Sequence, residues 1–236
     1  MKKLMLIALT ALVAFSAEAQ RRSGRRSTKA ADSEVTTGKA AKIIVEQGPQ
    51  LGQTACLRAP ALAGASNVGQ CYKKPRSWIV LETKYATFGT DNSKFQDQLT
   101  FTWHVLLETK SATENKGNRE GLAPYSYFTT AVTYFNIPVG SHASSVVLPP
   151  SYLERYGEPK AVGFVITNAN GEELGGDCWS EIKGIPAGKK FWDNSDIMDA
   201  KFKDGKPMIE RRQGLVDRSK TIWALVNPND YEATIQ

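Results

Sequence analysis

Residues 98–109 read Gln98-Leu99-Thr100-Phe101-Thr102-Trp103-His104-Val105-Leu106-Leu107-Glu108-Thr109. Leu99, Phe101, Trp103, Val105 and Leu107 fall on one side of an extended chain. Thr100, Thr102, His104 and Glu108 fall on the other. This two-residue period is that of a β-strand with one face in a core. Leu106 breaks the alternation and predicts that the outer face is locally covered.

The same reading extends outward in both directions. Residues 77–88 (Ser-Trp-Ile-Val-Leu-Glu-Thr-Lys-Tyr-Ala-Thr-Phe) are rich in β-formers. In residues 125–137, Tyr127, Thr129, Ala131, Thr133 and Phe135 oppose Phe128, Thr130, Val132 and Tyr134. Both sets are apolar or aromatic, which predicts a central strand. Shorter strands are expected at 42–46, 144–148, 160–168 and 221–226. Asn170-Gly171 marks a hairpin, and Asp204-Gly205 a second one near the C-terminus. Residues 151–156 predict one helical turn capped by Ser151 and ended by Gly157. Residues 193–199 predict another, with Ser195 as its cap.

Strands every ten to twenty residues with little helical period between them favour sheets packed face to face. The expected fold is mainly β: an immunoglobulin-like antiparallel β-sandwich over residues 75–182, with short helical turns. The Cys56–Cys71 segment and a C-terminal hairpin extension elaborate it, so that residues 41–236 form one domain.

The N-terminus sets the compartment. Met1-Lys2-Lys3 is cationic, Leu4 to Phe15 is an apolar run broken by Thr10, and Ser16-Ala17-Glu18-Ala19 supplies small residues for cleavage. This is the pattern of an export signal peptide over residues 1–19. The run is shorter than the roughly 20 residues a spanning helix needs. Gln20 follows the cut, so a lipid-bearing Cys is not expected there. Gln20-Arg21-Arg22 also replaces the long apolar helix of a type IV prepilin. The mature chain is expected in the periplasm, at the outer membrane surface or secreted, with no transmembrane anchor.

The formal charge of +6 becomes +5 when Lys2, Lys3 and Glu18 leave with the leader. Arg21, Arg22, Arg25, Arg26 and Lys29 lie among Ser, Thr, Gly and Ala, a composition that cannot offset its ordering entropy. Residues 20–40 are therefore expected as a disordered basic arm. It is either a solvated leader or a tether for anionic glycan or lipopolysaccharide. Nucleic acid is not expected, because no aromatics interleave the arginines.

Cys56, Cys71 and Cys178 are the three cysteines. Pairing is expected in an oxidising compartment. Cys56–Cys71 spans a small flexible segment and would stabilise by roughly 3 kcal/mol; Cys56–Cys178 and Cys71–Cys178 stay open.

The residues name no reaction. His104 and His142 with one carboxylate would form a zinc site only if the fold brought them together. Asp193, Asp196 and Asp199 lack the spacing of a calcium loop, and neither a phosphate loop nor a nucleophile elbow is present. No cofactor or metal is expected. Cys178-Trp179 lacks a following histidine and reads as a packed thiol. Glu82 and Glu108, on neighbouring candidate strands, read as exposed charges near strand ends, with paired carboxylates for glycoside hydrolysis as the alternative. Tyr125, Tyr127, Phe128 and Tyr134 are either a sugar-stacking surface or sandwich core.

Residues 160–174 (Lys-Ala-Val-Gly-Phe-Val-Ile-Thr-Asn-Ala-Asn-Gly-Glu-Glu-Leu) and 219–234 (Ser-Lys-Thr-Ile-Trp-Ala-Leu-Val-Asn-Pro-Asn-Asp-Tyr-Glu-Ala-Thr) carry a resemblance. The chain resembles secreted immunoglobulin-like proteins encoded beside type IV pilus-like genes in mucin-degrading verrucomicrobial gut bacteria. The resemblance implies a part in pilus-like assembly, surface adhesion or host contact, and transfers no functional residue. The expected function is thus a non-enzymatic surface component that binds envelope proteins or itself. A carbohydrate-binding module is the alternative.

Overall fold

The computed structural model describes residues 42–49, 55–58 (main chain only), 76–89, 93–109, 122–186 and 188–224. The expected leader, the basic arm with Arg21, Arg22, Arg25, Arg26 and Lys29, and Cys71 with its pairing to Cys56 lie outside these residues.

Among the described residues, ten strands form two sheets. The first contains β1 (Lys42–Gln47), β2 (Ala55–Arg58), β3 (Ser77–Phe88), β6 (Gly140–Leu148) and β10 (Val216–Asp217), in the order β1-β3-β6-β10 with β2 also on β3. The second contains β4 (Phe95–Glu108), β5 (Tyr125–Pro138), β7 (Glu158–Asn168), β8 (Glu173–Ser180) and β9 (Ile209–Arg212), in the order β8-β7-β4-β5-β9. The architecture is a β-sandwich, as the alternation of apolar residues requires.

The inner faces meet through the residues that the two-residue period selects. Leu99, Phe101, Trp103, Val105 and Leu107 of β4 are buried, as are Phe128, Val132 and Tyr134 of β5. Tyr85 of β3 meets Phe101 at 4.7 Å between ring centres, and Phe164 of β7 lies 5.3 Å from Trp103. Each such ring contributes about 1.5–3 kcal/mol by burial. Ser144 of β6 joins the sheets by hydrogen bonds: its Oγ accepts from Trp103 Nε1 (3.3 Å) and from Tyr134 Oη (3.0 Å). These bonds satisfy two polar groups that the core would otherwise strand.

Several expectations need correction. The described residues between β8 and β9 (181–186 and 188–208) cross the outer face of the second sheet, where Ile185, Phe191 and Met198 pack on Leu106, Tyr127, Ala161 and Ile209. This strap is the cover that Leu106 predicted, and Leu106 is 1% exposed. β5 is central only from Tyr125 to Phe128, where β9 flanks it; no strand among the described residues pairs with its outer edge beyond. Its outward aromatics at 125 and 127 pack partly against the strap and partly against Ile209 of β9 and His104 of β4. β9 also runs parallel to β5, so the sandwich is not wholly antiparallel.

The C-terminal hairpin is reduced to a tight turn. Gly205, at φ 83°, donates its N–H to Phe202 O, and one bridge joins Lys201 to Pro207. Pro207 has no N–H with which to extend a ladder. Residues 221–224 form a turn and not a strand. Asp217 accepts from Ser219 N, and Thr221 Oγ1 both donates to Arg218 O and accepts from Trp223 N. These local bonds outcompete sheet pairing. They seat Trp223 against Trp78, Val80 and Val147 on the outer face of the first sheet.

Both short helices begin differently from expectation. Helix α1 (Pro150–Tyr156) starts with Pro150 in its first turn and has no side-chain cap, so Ser151 does not cap it; Gly157, at φ 92°, ends it as expected. Helix α2 (Ser195–Met198) is shorter than 193–199, and Asn194 caps it by accepting from Asp196 N at 2.9 Å. Residues 191–193 form a separate 3-10 turn.

Candidate functional site

The β register places Thr129, His104, Gly163 and Cys178 side by side across β5, β4, β7 and β8. On an open sheet this row would face solvent. Here the strap lays Trp192 over His104 and Gly163, stacked on the imidazole with ring centres 4.1 Å apart and planes 7° from parallel. Gly163 makes the notch. A Cβ at that position would overlap both the Trp192 ring and Cys178 Cβ. His104 Nδ1 lies 2.6 Å from Tyr127 Oη, and Cys178 Sγ donates to Lys189 O at 2.9 Å.

The electrostatics keep this row neutral. Burial, reinforced by the Lys190 ammonium, lowers the His104 pKa to about 4. Burial first, then the Asp177 carboxylate, raises the Cys178 thiol to about 11. Tyr127 is raised, again chiefly by burial. An activated nucleophile needs the reverse, a thiol held low beside a base. His104 and Cys178 also stand two strands apart, about 10 Å at sheet spacing. The row is a packed seam between sheet and strap. Cys178 is a free, buried thiol beside Trp179, as its sequence setting implied.

The other expected sites separate. His142 lies on β6 in the opposite sheet from His104, with Nε2 2.7 Å from Pro138 O and 3.3 Å from Thr87 Oγ1. Among the described residues no group of three His, Cys, Asp or Glu side chains is placed to hold a metal ion. Glu82 and Glu108 are not on neighbouring strands: β3 and β4 belong to different sheets. Glu82 is exposed on the outer face of β3, and Glu108 accepts from Tyr125 Oη at the end of β4. Their side chains project from opposite faces of the sandwich and cannot flank one bond. Tyr127, Phe128 and Tyr134 are 8%, 0% and 1% exposed, so they are packed and form no sugar-stacking surface.

What remains accessible is the side of the sandwich bearing β5 and β6. The opposite side is closed where β1 approaches β8. There Gly48 lies so near Asp177 that a Cβ would overlap its carboxylate. On the β5/β6 side, β10 pairs only with Val146 and Val147, and β9 stops at Phe128. Sequence reasoning missed this surface, because pairing to a neighbour is set by residues far along the chain.

A protein-family model matches residues 52–225, which is more than half of the chain. The chain belongs to that family. A crystal structure of a protein from Akkermansia muciniphila shares its fold, with a TM-score of 0.58 at 18% identity. The match covers 84% of this chain and 94% of that one. No curated protein matches the sequence. Among the described residues, no helix is long and apolar enough to cross a membrane.

Proposed function

We propose that this chain is a non-enzymatic, exported component of a cell-surface assembly, linked to a pilus-like system and acting through protein–protein contact. The immunoglobulin-like resemblance of residues 160–174 and 219–234 supports the pilus connection. Membership of the family and the fold shared with the Akkermansia muciniphila protein support the type of scaffold.

The observation that carries the reading is the unpaired stretch of β5. A long strand edge with free main-chain donors and acceptors is a template for another chain. The titratable groups of the candidate sites, by contrast, are neutral beneath the strap or separated on opposite faces.

The test is capture of the full chain from its native envelope after brief cross-linking. The expected product contains a subunit of a surface filament or a second copy of the chain, and its mature N-terminus is Gln20. A chain that stays monomeric and captures nothing, or retains residues 1–19, overturns the reading.

A further inference from the structure

Main-chain hydrogen bonds fix which way the β5 edge faces. Thr109 N–H donates to Pro124 O (2.8 Å) and Tyr125 N–H to Met208 O (3.1 Å), so Tyr125 turns its main chain from β4 toward β9. Every second residue does the same along a regular strand. Beyond Phe128, where β9 ends, Thr129, Ala131, Thr133 and Phe135 therefore present N–H and C=O to an edge with which no described strand pairs; β10, bonded to β6, approaches β5 without pairing to it. Asn136, at φ 52°, ends the regular run.

This stretch, Thr129-Thr130-Ala131-Val132-Thr133-Tyr134-Phe135, contains no charge, proline or glycine. Edge strands are ordinarily protected by such residues. Three other edge strands are: β1 carries Lys42 and Glu46, β8 carries Glu173 and Asp177, and β9 carries Glu210, Arg211 and Arg212; the part of β6 that β10 leaves unpaired, residues 140–145, is also uncharged but begins with Gly140. Thr129, Ala131 and Phe135 are exposed on the outer face, Phe135 to 44%.

We propose that residues 129–135 of β5 pair antiparallel with the same residues of a second copy about a two-fold axis, joining the two second sheets into one. This rests on the reading of the chain as an assembly component and names the partner. Charge permits a second copy as the occupant. Two-fold pairing sets a strand against itself, so a charged residue at its centre would face its own kind, and like charges across a ladder destabilise. The neutral β5 edge meets that condition.

One register pairs the whole of 129–135 with itself. Thr129 of one copy stands opposite Phe135 of the other, and Ala131 opposite Thr133. All four residues face the edge, so each pair exchanges two main-chain hydrogen bonds. Phe135 then covers Thr129 as an aromatic–β-branched pair. The contact is a single strand of about 23 Å, which places it among small, reversible interfaces.

The experiment is sedimentation equilibrium of the full mature chain, with amide hydrogen exchange at low and high concentration. Wild type forms a concentration-dependent dimer. At high concentration the amides of Thr129, Ala131, Thr133 and Phe135 gain protection, while Thr130 and Val132, already bonded to β4, do not change. Ala131→Lys places two ammonium groups on diagonal positions across the ladder and weakens the dimer at least tenfold. Exchange on wild type decides the matter if that variant does not fold. A wild type that stays monomeric, a dimer unaffected by Ala131→Lys, or protection elsewhere overturns the proposal. A monomer that still captures an envelope subunit sinks this proposal alone; a monomer that captures nothing sinks the assembly reading as well.

Discussion

Stability between pH 7.5 and 4 is expected to depend strongly on His104. In the folded chain its imidazole is stacked under Trp192 and bonded to Tyr127, and its pKa is lowered from 6.5 to about 4. In the unfolded chain it titrates near 6.5. Between these values the unfolded state binds the extra proton, so stability falls as pH falls. The contribution of His104 is complete above pH 7, declines from about 6.5, and is lost below about 4. The shift corresponds to about 3 kcal/mol, a large share of a typical domain's stability. Urea unfolding at pH 7.5, 6, 5 and 4, comparing wild type with His104→Gln, measures it. The substituted glutamine does not titrate, whereas the carboxylates are common to both proteins. Wild type should therefore lose about 3 kcal/mol more than the variant over this range. Parallel pH profiles for the two proteins would show that burial of the imidazole is not what fixes its charge state.

Three further outcomes follow from the packing. Leu106→Ala empties a site where the strap meets β4 and should cost about 2–5 kcal/mol in chemical denaturation, with slopes unchanged. Gly157→Ala places a Cβ against Glu108 O at a φ of 92°, and should lower the melting temperature by several degrees for a loss of about 1–3 kcal/mol. Cys178, with its thiol raised to about 11, should resist a thiol reagent at pH 8 in the native protein and react promptly in urea; native labelling at the unfolded rate would refute its burial under the strap.

Much of the sandwich is legible because its strands alternate. In β4 and β7 the inward residues, Leu99 through Leu107 at alternate positions and Val162, Phe164 and Ile166, are apolar, and a local pattern suffices to assign them. The failures share one physical cause. Tyr125 and Tyr127 are apolar outward residues whose partners, Ile209 and Phe191, lie more than sixty residues later in the chain. A strand covered by such a strap and a strand flanked by another strand look alike locally. The turn at 221–224 is hidden differently: Thr221-Ile222-Trp223 reads as β, but Asp217 and Thr221 supply side-chain acceptors that hold a tighter path. The His104 seam leaves one sequence trace, the irregular Leu106. Gly163 and Trp192, which complete it, carry no local signal.

The bare edge of β5 is the feature most in need of a cause. Protecting it would take one lysine at Ala131 or Thr129, both exposed. Surface substitutions of this kind change stability by only about 0.5 kcal/mol. Folding thus places little constraint against a charge there, while the risk of unplanned pairing favours one. β1, β8 and β9 do carry charges at their edges, so the chain as a whole is not indifferent to the hazard; the other uncharged open stretch, residues 140–145 of β6, lies on the same side of the sandwich. The strap and β9 cover the outer face at Tyr127 and the edge as far as Phe128, and both end where the uncharged run begins. A neutral strand left open over that interval, and ended by the left-handed Asn136, is what pairing with another strand requires and what folding alone does not explain.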